Sequence, residues 1–126
     1  MTFTIPLPPV TKKNHGQIIM AGGKPRLLPS PQYRAYEQDA SLFVPAERIE
    51  GPVEVTALFY MPTHRKVDLT NLLEALDDLL VSCGLLPDDC SEIIVSHDGS
   101  RVRYDKNHPR TEVRILPFHE KTLFPT

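Results

Sequence analysis

Thirteen prolines punctuate this chain of 126 residues, so its secondary elements are short and bounded. Proline fixes its own φ, has no N–H to donate and biases the residue before it away from the helical region. "TFTIPLP" alternates like a strand and stops at Pro6 and Pro8. "TKKNHG" follows as a basic, turn-prone loop, and "QIIMAGGKPRLL" has the form of a short hairpin through Gly22-Gly23. In "SPQYRAYEQDASLFV", Ser30 stands as an N-cap with Pro31 at the first helical position. Tyr33, Tyr36, Ala40 and Phe43 keep helical spacing there. "PVEVTALFYMP" alternates and then turns wholly apolar, as a strand entering a core does.

A second helix is expected from about Leu69 to Cys83, after the charged loop "THRKVD". Leu69, Leu72, Leu73, Leu76, Leu79 and Leu80 form one apolar face, while Asn71, Glu74 and Asp78 fall on the other side. Gly84 is a natural C-terminal cap. "SEIIVSHDGSRVRY" is either a long strand bent at Asp98-Gly99 or a hairpin turning there. "RTEVRILPF" is the last strand, and residues 118–126 are expected to be a loose tail. The order β, β-hairpin, α, β, α, β, β predicts one α+β domain over residues 1–126, a mixed β-sheet packed by two α-helices. With 40% apolar residues such a domain has a core without staples. No apolar run is long enough for a transmembrane helix and no signal peptide is expected, so no membrane partner is expected either. Cys83 and Cys90 make no disulfide framework and lack the spacing of a zinc site; free thiols in a reducing cytoplasm are expected.

The net charge of −2 hides a split. Residues 1–66 hold eight Lys/Arg against five Asp/Glu, and residues 67–126 hold six against eleven. Residues 67–92 alone carry seven acids and no Lys or Arg. Such segregation suits a polyanion held by bases while metal ions occupy an acidic pocket; it also fits an ordinary solvated helix face. Capping alone accounts for a carboxylate at a helix start such as Asp68, and Asn71 with Glu74 has the spacing of a capping box. Asp88-Asp89 follows Pro87 in a loop, where no helix start requires it, and a hard divalent cation would relieve its repulsion. A helix from Leu69 to Cys83 advances roughly 20 Å, and Gly84 to Asp88 return at most about 16–18 Å. Asp68 and Asp89 therefore meet in one subunit only if that return is nearly straight; a site completed across a dimer is the alternative.

"VDLTNLLEALDDLL…GLLPDDCSEI" resembles the RusA family of Holliday junction resolvases, endonucleases that cut four-way DNA junctions. The signature is matched by Asp68, Leu69, Thr70, Asn71 and Leu72, then Asp78, then Asp88 and Asp89. "IPLPPVTKKN" and "SPQYRAYEQDA" are similar to the family's opening strand, basic loop and first helix, so the resemblance reaches to about Leu116. It implies a homodimeric nuclease of recombination and repair that acts on branched DNA with Mg²⁺ or Mn²⁺. Its metal-binding carboxylates map to Asp68, Asp88 and Asp89, with Asp89 the closer positional match of the pair. The chain departs from the pattern at Thr70, where the family has a second Asp, and at Glu74, where it has a catalytic Lys. Glu74 lies one turn along the same helix face and is a candidate replacement carboxylate, so Asp68, Asp89 and Glu74 form the expected catalytic set. Thr70, Asn71 and Asp78 are candidates to support it.

Metal ions lower the pKa of a water and neutralise the non-bridging oxygens of a phosphodiester, which explains the need for clustered carboxylates. Lys12, Lys13, Arg65 and Lys66 are candidates to hold flanking phosphates, and Arg101 and Arg103 alternate on a strand face that can reach DNA. Each of these bases is equally an ordinary solvated side chain, and His64, His97 and His108 are surface or satisfied histidines as readily as general bases. Two other functions fit the residues: a non-catalytic binder of branched DNA on the same fold, and a dimeric scaffold with a solvated acidic face.

Overall fold

Val53, Val55, Ala57 and Phe59 alternate with Glu54, Thr56, Leu58 and Tyr60, and this period of two makes the segment the centre of a sheet. The computed structural model describes residues 1–12, 17–28, 30–120 and 122–124. In chain order the elements are β1 (Thr2–Ile5), β2 (Gln17–Ala21), β3 (Lys24–Leu28), α1 (Pro31–Ala40), β4 (Val53–Met61), α2 (Leu69–Ser82), β5 (Ile94–Ser96), β6 (Arg101–Tyr104) and β7 (Arg110–Pro117). β4 pairs antiparallel with β7, which pairs antiparallel with β1. The other edge of β4 is shared by β5 and β6, both parallel to it, so the sheet is mixed. β2 and β3 form a separate hairpin across Gly22 and Gly23, whose φ of 60° and 77° suits glycine. The α+β architecture with two helices is as the sequence predicts.

The two-way expectation for residues 91–104 resolves in favour of the bend. A hairpin at Asp98-Gly99 would reverse the chain, whereas β5 and β6 both run parallel to β4. In the gap between them, side chains take over the ladder. The His97 ring nitrogen Nδ1 lies 2.9 Å from the Val55 carbonyl, and Ser100 Oγ accepts from the Ala57 N–H at 3.0 Å. Thr56 Oγ1 donates to the Asp98 carbonyl at 2.9 Å. The strand is thus interrupted without leaving these groups of β4 unpaired.

Both helices begin where their caps stand. Ser30 Oγ accepts the Tyr33 N–H at 3.1 Å, with Pro31 opening α1. α1 ends at Ala40 and tightens into a 3-10 turn over Ser41–Phe43. That change of pitch breaks the expected face, and Phe43 is exposed while Tyr33 and Ala40 are buried. α2 buries Leu72, Leu73, Leu76, Leu79 and Leu80 against the inner face of the sheet. Each fully buried leucine stabilises the fold by about 1.5–3 kcal/mol relative to exposure. Gly84, with φ 79°, ends α2: its N–H donates to Val81 O at 2.9 Å and the Leu85 N–H to Leu80 O at 3.1 Å. This reversal turns the chain back over the last turn of α2 and buries Leu85 and Leu86. Among the described residues no helix is long and apolar enough to cross a membrane, and Cys83 and Cys90 are free thiols.

Candidate functional site

Asp68 is the N-cap of α2, in extended conformation with its side chain turned back on the helix. Asp68 Oδ1 accepts both the Thr70 N–H at 2.9 Å and the Thr70 hydroxyl at 2.6 Å. A hydroxyl bound so closely orients the carboxylate. The cap also corrects one expectation. Asn71 is the third residue of the helix rather than its N-cap, so Asn71 and Glu74 do not form a capping box.

Further along α2, Asp78 Oδ2 receives the Lys12 ammonium at 2.7 Å, joining the loop after β1 to the helix. The hydrogen bond to Asp78 is the main reason the Lys12 pKa is raised; burial opposes it, and the charges of Asp78, Glu37 and Glu74 add to it. Lys12 therefore sits among carboxylates from both helices rather than in an open basic loop. Tyr33, buried in α1, donates its hydroxyl to the Ala75 carbonyl at 3.3 Å and locks the two helices together. Burial raises the Tyr33 pKa most, followed by Glu37 and Asp78, so the phenol stays protonated.

Asp88 and Asp89 follow the reversal after α2. Asp88 Oδ1 accepts the Asp89 N–H at 2.8 Å. Desolvation raises the Asp89 pKa first, then the charge of Asp78, and Asp88 contributes as well. Asp89 thus belongs electrostatically with the middle of α2. Asp78 lies ten residues beyond Asp68, roughly 15 Å along the axis. Among the described residues no three His, Cys, Asp or Glu side chains converge to hold a metal ion. Asp68 at the helix start and the Asp88-Asp89 pair do not form one such cluster in a single chain.

Of the expected DNA contacts, Arg65 and Lys66 are exposed in the loop before α2. With Pro8, Pro9, Val10 and Thr11 they line a cavity of about 270 Å³ next to the start of that helix. Arg101 and Arg103 are exposed on β6, and Lys13 lies outside the described residues. His64 stacks on Tyr104, with ring centroids 3.7 Å apart, and His108 is exposed.

His97 has a partner that the sequence does not reveal. Its Nε2 lies 2.8 Å from Asp77 Oδ2 while Nδ1 faces the Val55 carbonyl. A carbonyl can only accept, so Nδ1 carries a proton, and the second ring nitrogen shares another with Asp77. Burial works against the charged ring, but Asp77 and the Val55 carbonyl outweigh it and raise the His97 pKa. The period of α2 puts Asp77 beside a buried face, yet nothing local in the sequence points to a residue twenty positions away.

A search of curated proteins finds no match. The family model described as "Endodeoxyribonuclease RusA" matches residues 6–116, which begins just after β1 and takes in both helices, Asp68, the Asp88-Asp89 pair and all but the last residue of β7. Nucleases of this family resolve Holliday junctions, act on branched DNA and are generally dependent on divalent metal. On that match, which spans most of its length, the chain belongs to the RusA endodeoxyribonuclease family.

Proposed function

We propose that the protein is a Mg²⁺- or Mn²⁺-dependent endonuclease that cuts four-way DNA junctions by phosphodiester hydrolysis, acting as a homodimer in recombination and repair. The family match over residues 6–116 is the observation that carries this reading. The donor chemistry agrees with it: Asp68, Asp88 and Asp89 offer carboxylate oxygens, the ligands that hard divalent cations take. Asp89 is already repelled by Asp78 and Asp88, so a cation there relieves a native-state cost. Asp68 is positioned by its two bonds from Thr70. When bound, the metal supplies an activated water and neutralises phosphate oxygens.

The distance along α2 favours a site that draws Asp68 and the Asp88-Asp89 pair from two subunits. A two-fold dimer then presents two equivalent sites to two strands of a junction. Arg65 and Lys66, beside the start of α2, hold the flanking phosphates, and Glu74 supplies the further carboxylate on the same helix. Incubation with a labelled four-way junction and a linear duplex of matching sequence, in Mg²⁺, Mn²⁺ or EDTA, tests the reading. Metal-dependent, paired nicks confined to the junction are expected, and an intact junction in both metals refutes cleavage.

A second reading, a junction binder without cleavage, draws on Thr70. Its hydroxyl is engaged by Asp68, and a hydroxyl is a weaker metal ligand than the Asp the family has there. Tight binding of the junction with no nicking in either metal would favour it.

A further inference from the structure

Among the described residues no helix covers the face of the sheet turned away from α1 and α2, and four arginines of β6 and β7 stand on it. Strand register puts Arg101 beside Leu58, Arg103 beside Tyr60, Arg110 opposite Tyr60 and Arg114 opposite Thr56. Leu58, Tyr60 and Thr56 alternate with the buried Val55, Ala57 and Phe59, so all four arginines stand on the outer face. Arg110 is committed. It meets Asp105 at 2.8 Å and Glu112 at 3.0 Å, and lies 3.8 Å over the Tyr60 ring. Its single charge is shared between Asp105 and Glu112, while Glu54 and Asp98 line a separate pocket with β5.

Arg101, Arg103 and Arg114 have no carboxylate within ion-pair distance among the described residues. Arg101 Nε reaches only the Gly99 carbonyl and Arg103 only the Val102 carbonyl. Together with Glu112, Thr2, Thr4 and Thr56 they line a concavity of about 700 Å³. Three exposed guanidiniums with no carboxylate in ion-pair contact, against the one Glu112 that Arg110 already engages, raise the energy of the face unless anions approach it. Arg101 and Arg103 are roughly 7 Å apart along the strand. Arg114, two strands over and two residues along, is roughly 12 Å from Arg101. Those spacings are commensurate with phosphates along one strand and across one groove of a duplex, whose major groove is about 12 Å wide.

We propose that this outer sheet face is a second DNA-binding surface, on which Arg101, Arg103 and Arg114 hold the phosphate backbone of a duplex arm. It lies across the sheet from the carboxylates of α2, so it binds DNA that the cleavage site does not touch. A junction offers such DNA in its remaining arms. The inference rests on the nuclease reading for its substrate, but its own content is the surface.

The test uses the full chain with Arg101→Gln, Arg103→Gln and Arg114→Gln combined, which keeps side-chain length over Leu58. A Lys triple variant serves as charge-retaining control. Junction affinity is measured across a salt titration, with single-turnover cleavage at saturating protein and the sedimentation of free protein recorded in parallel. Three lost phosphate contacts should flatten the slope of log K against log salt by roughly two to three units. The Gln variant should bind at least about tenfold more weakly at moderate salt, cleave normally at saturation and sediment as wild type. The Lys variant should keep the slope. An unchanged affinity and slope overturns the proposal. Weaker binding accompanied by a change in sedimentation overturns it too, because the face then joins two copies of the chain. Wild-type protein that binds no DNA overturns both this proposal and the nuclease reading. Wild-type protein that binds with an arginine-dependent slope but does not cut supports the surface and refutes the nuclease reading alone.

Discussion

Lys12 Nζ lies 2.7 Å from Asp78 Oδ2, a contact between residues sixty-six positions apart that fastens the loop after β1 onto the middle of α2. Both side chains are about a third exposed, so solvent screens the pair. Lys12→Met should cost roughly 0.5–1 kcal/mol of stability at low ionic strength. The loss should shrink in high salt, as Debye screening shortens the reach of the charges. Urea titrations of the two proteins at low and high NaCl measure both effects. A variant as stable as wild type at low salt would show that the contact contributes nothing net.

Asp68 caps α2 and is also the candidate ligand, and two substitutions separate the roles. Asn is as good an N-cap as Asp, so Asp68→Asn should keep stability within a few tenths of a kcal/mol; Asp68→Ala should lose about 1 kcal/mol. Metal that binds only the native state raises Tm, and both variants should lose that rise in Mg²⁺ or Mn²⁺ at constant ionic strength. Melting curves with and without metal read both quantities together. An Asp68→Asn protein that keeps the full metal shift removes Asp68 from the site.

How far the sequence discloses this structure depends on the range of the forces involved. Ser30-Pro31, Asp68, Gly84 and Gly22-Gly23 act within a few residues, and each marks a boundary where the chain obeys it. Residues 97–100 are different. Asp98-Gly99 is compatible with a bend or a hairpin, and the choice rests on bonds from His97, Ser100 and Thr56 that link to or from another strand. The candidate carboxylates are visible as residue types in a family pattern. Their distribution, with Asp89 repelled by Asp78 and Lys12 drawn among Glu37, Glu74 and Asp78, follows from how α1, α2 and two loops pack. Periodicity does not encode that packing.

The His97–Asp77 pair gives the protein a defined pH dependence. The folded His97 pKa is above the value of about 6.5 for a free histidine. A raised histidine contributes stability that is present in full below about pH 6.5 and is lost as pH rises through the folded value. Burial also raises the Asp77 pKa, with His97 opposing it, and a raised carboxyl likewise favours the protonated, lower-pH side. Through His97, stability measured by urea should therefore decline as pH rises above about 6.5. Asp77→Asn, which keeps a polar partner but no charge, should flatten that decline. A profile in Asp77→Asn that parallels wild type would assign the dependence elsewhere.

Glu74 is where the chain departs furthest from its family's pattern, and the structure narrows what the residue can be doing. The N-cap of α2 is Asp68, so a capping role on Asn71 is excluded. Two roles are set against each other: a carboxylate that helps hold the metal, or a surface charge that helps keep Lys12 in place. Loss of a ligand removes several kcal/mol of transition-state stabilisation, so Glu74→Gln should then lower the cleavage rate roughly a thousandfold, as severely as Asp68→Asn. A surface charge with no part in the chemistry predicts a stability change of at most about 1 kcal/mol and nearly normal cleavage. The double variant Thr70→Asp with Glu74→Lys restores the family's residues at both positions and should keep or raise activity if Glu74 stands in for the missing Asp. Single-turnover rates on a four-way junction at saturating Mg²⁺ decide between the two. The ligand role fails if Glu74→Gln cuts at the wild-type rate.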